Sequence, residues 1–248
     1  MEKKIIITTS WDDGHELDIK LAELLAKYGI EGTFYVPLKN AEHPVMSAAL
    51  LTELANRFEI GGHTVNHIYL NTLGKQDAKY EIAECKNMLQ QQIGKEVKAF
   101  CYPGGKYSKR DIELVEEAGF LFGRTTKLLH TDIDTDQRLM NTSVQAFNHS
   151  GAVLTKHCIK HGFIQPIVQN GFFHKANKNF IELSETILND IQNTGGVFHL
   201  WGHSWELEEF QLWEQLEFLL GKLASLENVA FLNNTDCWKM IQKSKNII

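Results

Sequence analysis

The feature that most constrains this chain is an alternation. Short runs of β-branched and aromatic residues recur along its whole length, with longer stretches of helical period between them. The strand candidates are residues 4–11 (KIIITTSW), 32–37 (GTFYVP), 58–63 (FEIGGH), 97–103 (VKAFCYP), 120–126 (FLFGRTT), 143–147 (SVQAF), 196–202 (GVFHLWG) and 229–233 (VAFLN). Between the first two, LDIKLAELLAKYG sets Leu17, Leu21, Leu24 and Leu25 on one helical face, with Gly29 as a C-terminal stop. Residues 74–93, 108–118, 177–193 and 206–224 fit helices of the same kind. Seven or eight βα units in 248 residues predict an α/β fold with parallel strands in a barrel or barrel-like sheet. Such sheets collect functional residues at the C-terminal ends of their strands, which gives a positional test for every motif.

Three motifs pass that test. Asp12 and Asp13 end the first strand candidate, and two carboxylates held side by side demand a compensating cation or donor. An N-cap for the following helix would explain one of them but not both. In GGHTVNH, His63 and His67 are four apart on a helical turn or tight loop, so both imidazoles can reach one metal ion. Two histidines with one carboxylate make a three-ligand divalent site, leaving the second aspartate free to accept a proton from an attacking water. In GGVFHLWGHSWE, His199, Trp201 and His203 alternate and so share one strand face, with His203 nearest the C-terminal end. Glu206 either orients the His203 ring or simply begins the acidic helix that follows.

Two further stretches are less specific. AFCYPGGKYS ends a strand in a turn whose glycines let backbone approach a ligand, or merely make a βα turn. FGRTT places Arg124 in or at the end of an apolar strand, where it needs a carboxylate such as Asp12 or Asp13 if buried and none if exposed.

Composition narrows the partners. The formal charge is −6, and Lys and Arg are scattered without a basic stripe, which argues against nucleic acid and against an anionic membrane surface. No apolar run approaches the roughly 20 residues of a transmembrane helix, and the N-terminus lacks a signal-peptide cleavage pattern. Cys85, Cys101, Cys158 and Cys237 are widely spaced, as expected of reduced thiols in a cytoplasmic protein. With no repeat or linker in view, residues 1–248 are expected to form a single domain. Residues 161–180, HGFIQPIVQNGFFHKANKNF, suit either a loop over a site or a packed excursion.

Taken together these residues resemble the polysaccharide deacetylase family, metal-dependent carbohydrate esterases with a NodB-like homology domain. SWDDG matches the family's Phe-Asp-Asp-Gly motif with Trp11 in place of Phe, HTVNH matches His-(Ser/Thr)-x-x-His, and GTFYV is similar to the usual Thr-Phe-Phe-Val strand. The resemblance implies a distorted (β/α) barrel, often of seven strands, with Asp12 as general base and Asp13, His63 and His67 as ligands of one divalent ion, Zn²⁺ by default. Where many members carry an arginine that orients the base, this chain has Cys101, so Arg124 is expected to supply that charge from the next strand. The late Leu-x-His motif with the catalytic acid is represented only by HLWGHSWE, so the acid is His203 or His199, with His203 preferred and His199 and Trp201 otherwise lining the substrate site. Backbone N–H groups near Tyr102, Pro103 and Gly104 would stabilise the oxyanion. The implied activity is removal of an acetyl group from an N-acetylated amino sugar in a glycan or glycan precursor. The alternatives are hydrolysis of a formyl amide or imide on the same barrel, and a degenerate carbohydrate-binding protein without turnover.

Overall fold

A computed structural model describes residues 4–132, 136–160 and 179–245. Strands β1 (Ile5–Asp12), β2 (Thr33–Val36), β3 (Glu59–Gly62), β4 (Ala99–Cys101), β5 (Phe122–Arg124), β6 (Leu139–Met140), β7 (Val144–Gln145), β8 (Gly196–His203) and β9 (Val229–Phe231) form one sheet. Its helices are α1 (Asp18–Lys27), α2 (Ala48–Arg57), α3 (Lys75–Ile93), α4 (Lys109–Glu117), α5 (Gly151–Lys160), α6 (Phe180–Thr194), α7 (Ser204–Glu209), α8 (Trp213–Ala224) and α9 (Asn234–Lys245). All the pairings are parallel, in the order β6-β5-β4-β3-β2-β1-β8-β7, with β9 beside the lower half of β1. The segment 139–145 carries both ends of that order: its first two residues pair with β5 and its last two with β8. One short stretch of chain thus joins the two edges, and the sheet is a distorted (β/α) barrel.

Strand alternation sorts the side chains into two cores. Odd-numbered β1 residues such as Ile7 and Trp11 point outward and pack with Leu21, Ala22 and Leu25 of α1 in the layer between sheet and helices. Even-numbered ones point inward. Near the strand starts Ile6 and Val197 meet Cys237 and Ile241 of α9, which plugs that end of the barrel. Above this plug lies a polar layer. Tyr35 Oη donates to Asn234 Oδ1 at 2.8 Å, Asn234 Nδ2 donates to Thr8 Oγ1 at 2.8 Å, and Ser10 Oγ pairs with His199 Nε2 at 2.8 Å. Each group is buried and each has a partner, so the layer avoids the cost of unpaired polar atoms. The strand C-termini stand on top of it.

All eight strand candidates are strands, and 17–29, 74–93, 108–118 and 177–193 hold helices α1, α3, α4 and α6. The stretch 206–224, expected as one helix, is two, because Gln211 sits at a left-handed φ of 54° between α7 and α8. Residues 161–178 of the apolar insertion lie outside the described residues. Among the described residues no helix is long and apolar enough to cross a membrane.

Candidate active site

The ends of β1 and β3 are built under strain. Asp13, Thr64 and His67 all have positive φ, at 80°, 67° and 51°. For a β-branched threonine that is an outlier conformation, and it persists only where surrounding contacts impose it. Glu81 of α3 supplies some of them, accepting from Asn66 N at 2.9 Å and Asn66 Nδ2 at 2.5 Å, while Thr64 Oγ1 accepts from Ile68 N at 3.2 Å. The His-Thr-Val-Asn-His loop is thereby curled back over the strand ends. His67 Nε2 comes to 3.0 Å and His63 Nε2 to 3.5 Å from Asp13 Oδ1.

These three side chains fit a divalent ion. One ligand atom from each lies within 4.8 Å of the others, and Asp13 Oδ1 is buried without an aligned hydrogen bond. His63 Nδ1 lies 2.9 Å from the Cys101 carbonyl oxygen, which only accepts, so Nδ1 carries a hydrogen and Nε2 is the ring atom that could ligate a metal. Burial would push the Asp13 carboxyl up, but the His63 and His67 imidazoles beside it pull it well below the usual carboxylate range. Asp12, His63 and Cys101 also lie within that span of one another. Asp12, however, is already engaged elsewhere.

Its partner is Arg124. The guanidinium, fully buried, donates through Nη2 to Asp12 Oδ1, and its Cζ lies 4.8 Å from the Trp201 ring centroid and 5.2 Å from that of Tyr35. Strand register explains the arrangement: Cys101 and Arg124 are paired residues on β4 and β5, and both point inward. From β5 Arg124 reaches the Asp12 carboxylate, and the Cys101 thiol donates to Asp12 Oδ2 at 3.6 Å. Burial raises the Asp12 carboxyl, and Arg124, with His63 and His203, more than offsets this and holds it below its ordinary value.

His203 ends β8 opposite Asp12 in register. Its Nδ1 is 2.7 Å from Glu206 Oε2, and its Nε2 is 4.0 Å from Asp13 Oδ2. Burial alone would lower this imidazole; the Glu206 carboxylate and then those of Asp13 and Asp12 lift it to about 9, so it carries a proton at neutral pH. Gln145 Nε2 donates to the same Glu206 oxygen at 3.1 Å and fixes it from β7. Trp201 also lines the cavity, with its indole N–H unpaired. His199 shares their strand face but lies two layers deeper, inside the polar layer, with Nδ1 3.0 Å from the Asn141 carbonyl. Burial drops it to about 3, so it is neutral and outside the cavity.

The turn after β4 needs a correction. The Tyr102 N–H, expected near the oxyanion, donates instead to the Arg124 carbonyl at 3.3 Å, continuing the β4–β5 ladder. Pro103 has no N–H. Gly104, with φ of 58°, lines the cavity and carries the remaining N–H of this trio. The cavity above these groups measures about 330 Å³, within the range of small-molecule sites. Tyr69, Trp205, Leu128 and Val153 give it apolar walls.

One site residue and one buried carboxyl near the site escaped the sequence reading. Trp205 donates its indole N–H to Asp13 Oδ2 at 2.9 Å. Nothing in HSWE signals it, since an indole has no spacing rule. The other is Asp18, fully buried at the start of α1, where loss of solvent pushes the carboxyl well above its usual range against the pull of the nearby Ser204 hydroxyl. A carboxyl raised on folding contributes stability that is complete below its unfolded value of about 3.9 and is lost as the pH climbs. Asp18→Asn, neutral at every pH, should therefore melt increasingly above wild type as pH rises from 5 to 8. Thermal unfolding across that range checks it; a constant gap would mean that Asp18 ionises normally.

Comparison with known proteins agrees with this geometry. The family model described as polysaccharide deacetylase matches residues 1–123, the half that carries Asp12, Asp13, His63, His67 and Cys101. YxkH of Bacillus subtilis strain 168, which bears the polysaccharide deacetylase name, is 29% identical over 129 residues, 51% of this chain and 46% of its own. The peptidoglycan-N-acetylglucosamine deacetylase of Bacillus cereus is 28% identical over 118 residues, 46% of this chain and 54% of its own. The match therefore spans about half the length of these relatives. A Mycobacterium smegmatis protein of the same name superimposes with a TM-score of 0.70 at 17% identity, covering 98% of this chain and 92% of that one, and so shares the fold. With both sequence motifs standing at strand ends of a barrel of this shape, residues 1–123 match the polysaccharide deacetylase family and the chain shares its fold with a solved structure of that name.

Proposed function

We propose that this chain is a metal-dependent hydrolase that removes the acetyl group from an N-acetylated amino sugar in a glycan or glycan precursor. The observation that carries this reading is the opposition of two tuned groups across one cavity. Asp12 is held ionised by Arg124, and His203 is held protonated by Glu206, on either side of Asp13, His63 and His67. Titratable pairs pushed apart in this way mark the base and the acid of a site. Asp13 Oδ1 and the Nε2 atoms of His63 and His67 would hold the ion, and mixed nitrogen and oxygen donors suit Zn²⁺. Such an ion supplies Lewis-acid polarisation of the acetamide carbonyl and acidifies water.

The chain's own residues do the rest. Asp12 Oδ2, the oxygen not taken by Arg124, accepts the proton of the water that adds to the carbonyl carbon. The Gly104 N–H stands where a backbone donor can face the developing oxyanion. His203 Nε2 then donates its proton to the nitrogen as the C–N bond breaks, releasing acetate and the free amine.

A panel of N-acetyl, O-acetyl, N-formyl and imide substrates, assayed with wild type and His63→Ala, tests the reading. N-acetyl amino sugars should be cleaved, and His63→Ala should lose both the ion and the activity. Cleavage confined to formyl amides or imides would move the substrate class, and sugar binding without turnover would overturn the enzyme reading. His203→Ala should slow amides by about 10²–10⁴-fold, the usual worth of a general acid. It should slow O-acetyl esters less, because an alkoxide departs with less proton assistance. Equal losses on both would remove His203 from the acid role.

A further inference from the structure

The two oxygens of Asp13 have separate surroundings. Oδ1 faces both imidazoles and has no aligned hydrogen bond, whereas Oδ2 accepts the Trp205 indole N–H at 2.9 Å. An indole N–H is a donor only and cannot be replaced at that oxygen by an ion without being left unpaired. The Trp205 ring is itself confined. It stacks on His43 at 4.0 Å and 17°, and lies against His203 at 5.0 Å and 31°. His43 comes from the loop between β2 and α2, and His203 from the end of β8. To leave Asp13, Trp205 would have to break from both rings.

We propose that Trp205 is a positioning residue for the metal centre, restricting Asp13 to ligation through Oδ1 and fixing the plane of its carboxylate. This rests on the reading of Asp13 as a ligand and deepens it. Without the indole, Asp13 is free to rotate, to present both oxygens, or to turn Oδ2 toward the imidazoles. Hydrogen-bond partners of metal ligands typically contribute about 10–100-fold to metal affinity. The arrangement also ties the ligand just beyond β1 to the proposed acid, because Trp205 stands two residues beyond His203.

The test measures Zn²⁺ and Co²⁺ affinity by competition with a chromophoric chelator, with no substrate present. Trp205→Phe, which keeps a ring between the two imidazoles, should weaken binding by about 10–100-fold. In an Asp13→Ala background the same substitution should change affinity less than about twofold, because coupled residues lose their effect when the partner is gone. Trp205→His, which keeps a ring N–H, should retain more affinity than Trp205→Phe and serves as the second variant if the phenylalanine protein unfolds. Unchanged affinity in Trp205→Phe, or equal losses in both backgrounds, would overturn the inference while leaving the metal site standing. A wild-type protein that takes up no ion would overturn both.

Discussion

Asp12→Asn protein should bind the proposed divalent ion as tightly as wild type and turn substrate over about 10²–10⁴-fold more slowly, the range for losing a general base. Asparagine keeps the size of the side chain and an oxygen that can still accept from Arg124, so the layer beneath the site keeps its shape. What it lacks is an anionic oxygen to take the water's proton. Asp13, His63 and His67 are untouched, which is why metal content and rate should separate. The buried guanidinium does lose its counter-charge, so a fall in Tm accompanies the fall in rate. Chelator competition, steady-state rates and thermal unfolding on one preparation read all three. Full activity with an intact ion would give the base role to another group, whereas loss of the ion would place Asp12 among the ligands.

Much of this site was legible because its parts sit where period and spacing speak. Asp12, Asp13, His63 and His67 follow strand candidates whose alternation survives in the structure, and the requirement that a buried strand arginine find a carboxylate narrowed Arg124 to Asp12 or Asp13, of which it meets Asp12. The failures have physical reasons. β6 is two residues long, too short for any alternation to show, yet it is half of the segment that joins the two sheet edges. Helix α2 was missed although Ser47 caps it by accepting from Leu50 N and Leu51, Leu54 and Ala55 recur at helical spacing. The Tyr102 N–H was assigned to the oxyanion from its place after a strand, but the β4–β5 ladder extends one residue further and takes it. His199 and His203 share a face by alternation, and only depth along the barrel axis separates them. Sequence reports the face but not the depth. Trp205 and Asp18 act through contacts between distant segments, which no local pattern records.

Arg124→Met carries the largest expected effect on stability and a distinct signature in pH. Arg124 is fully buried and its partner Asp12 nearly so, and removing one member of such a pair typically costs about 3–5 kcal/mol, because the other charge is left uncompensated. With the guanidinium gone, burial is the dominant influence on Asp12, and its carboxyl moves up from a value now held below the ordinary range. Two consequences follow with fixed sign. The acidic limb of the rate profile shifts to higher pH, since the base must be ionised to act. In wild type, a carboxyl depressed on folding contributes stability above its unfolded value and loses it as pH falls; the variant lacks that contribution, so its deficit is greatest near neutrality and narrows in acid. A profile of unchanged shape, or a deficit independent of pH, would show that Arg124 does not act through Asp12. Strand register then supplies a rescue. Cys101 is paired with Arg124 on the neighbouring strand and its thiol already touches Asp12. Cys101→Arg in the Arg124→Met protein should therefore return a guanidinium to the same carboxylate, move the acidic limb back and recover part of the rate. In wild type the same substitution would bring two buried guanidinium groups together and should destabilise the fold. Rescue in the first background with damage in the second is the outcome expected if the positive charge that orients the base has moved one strand over.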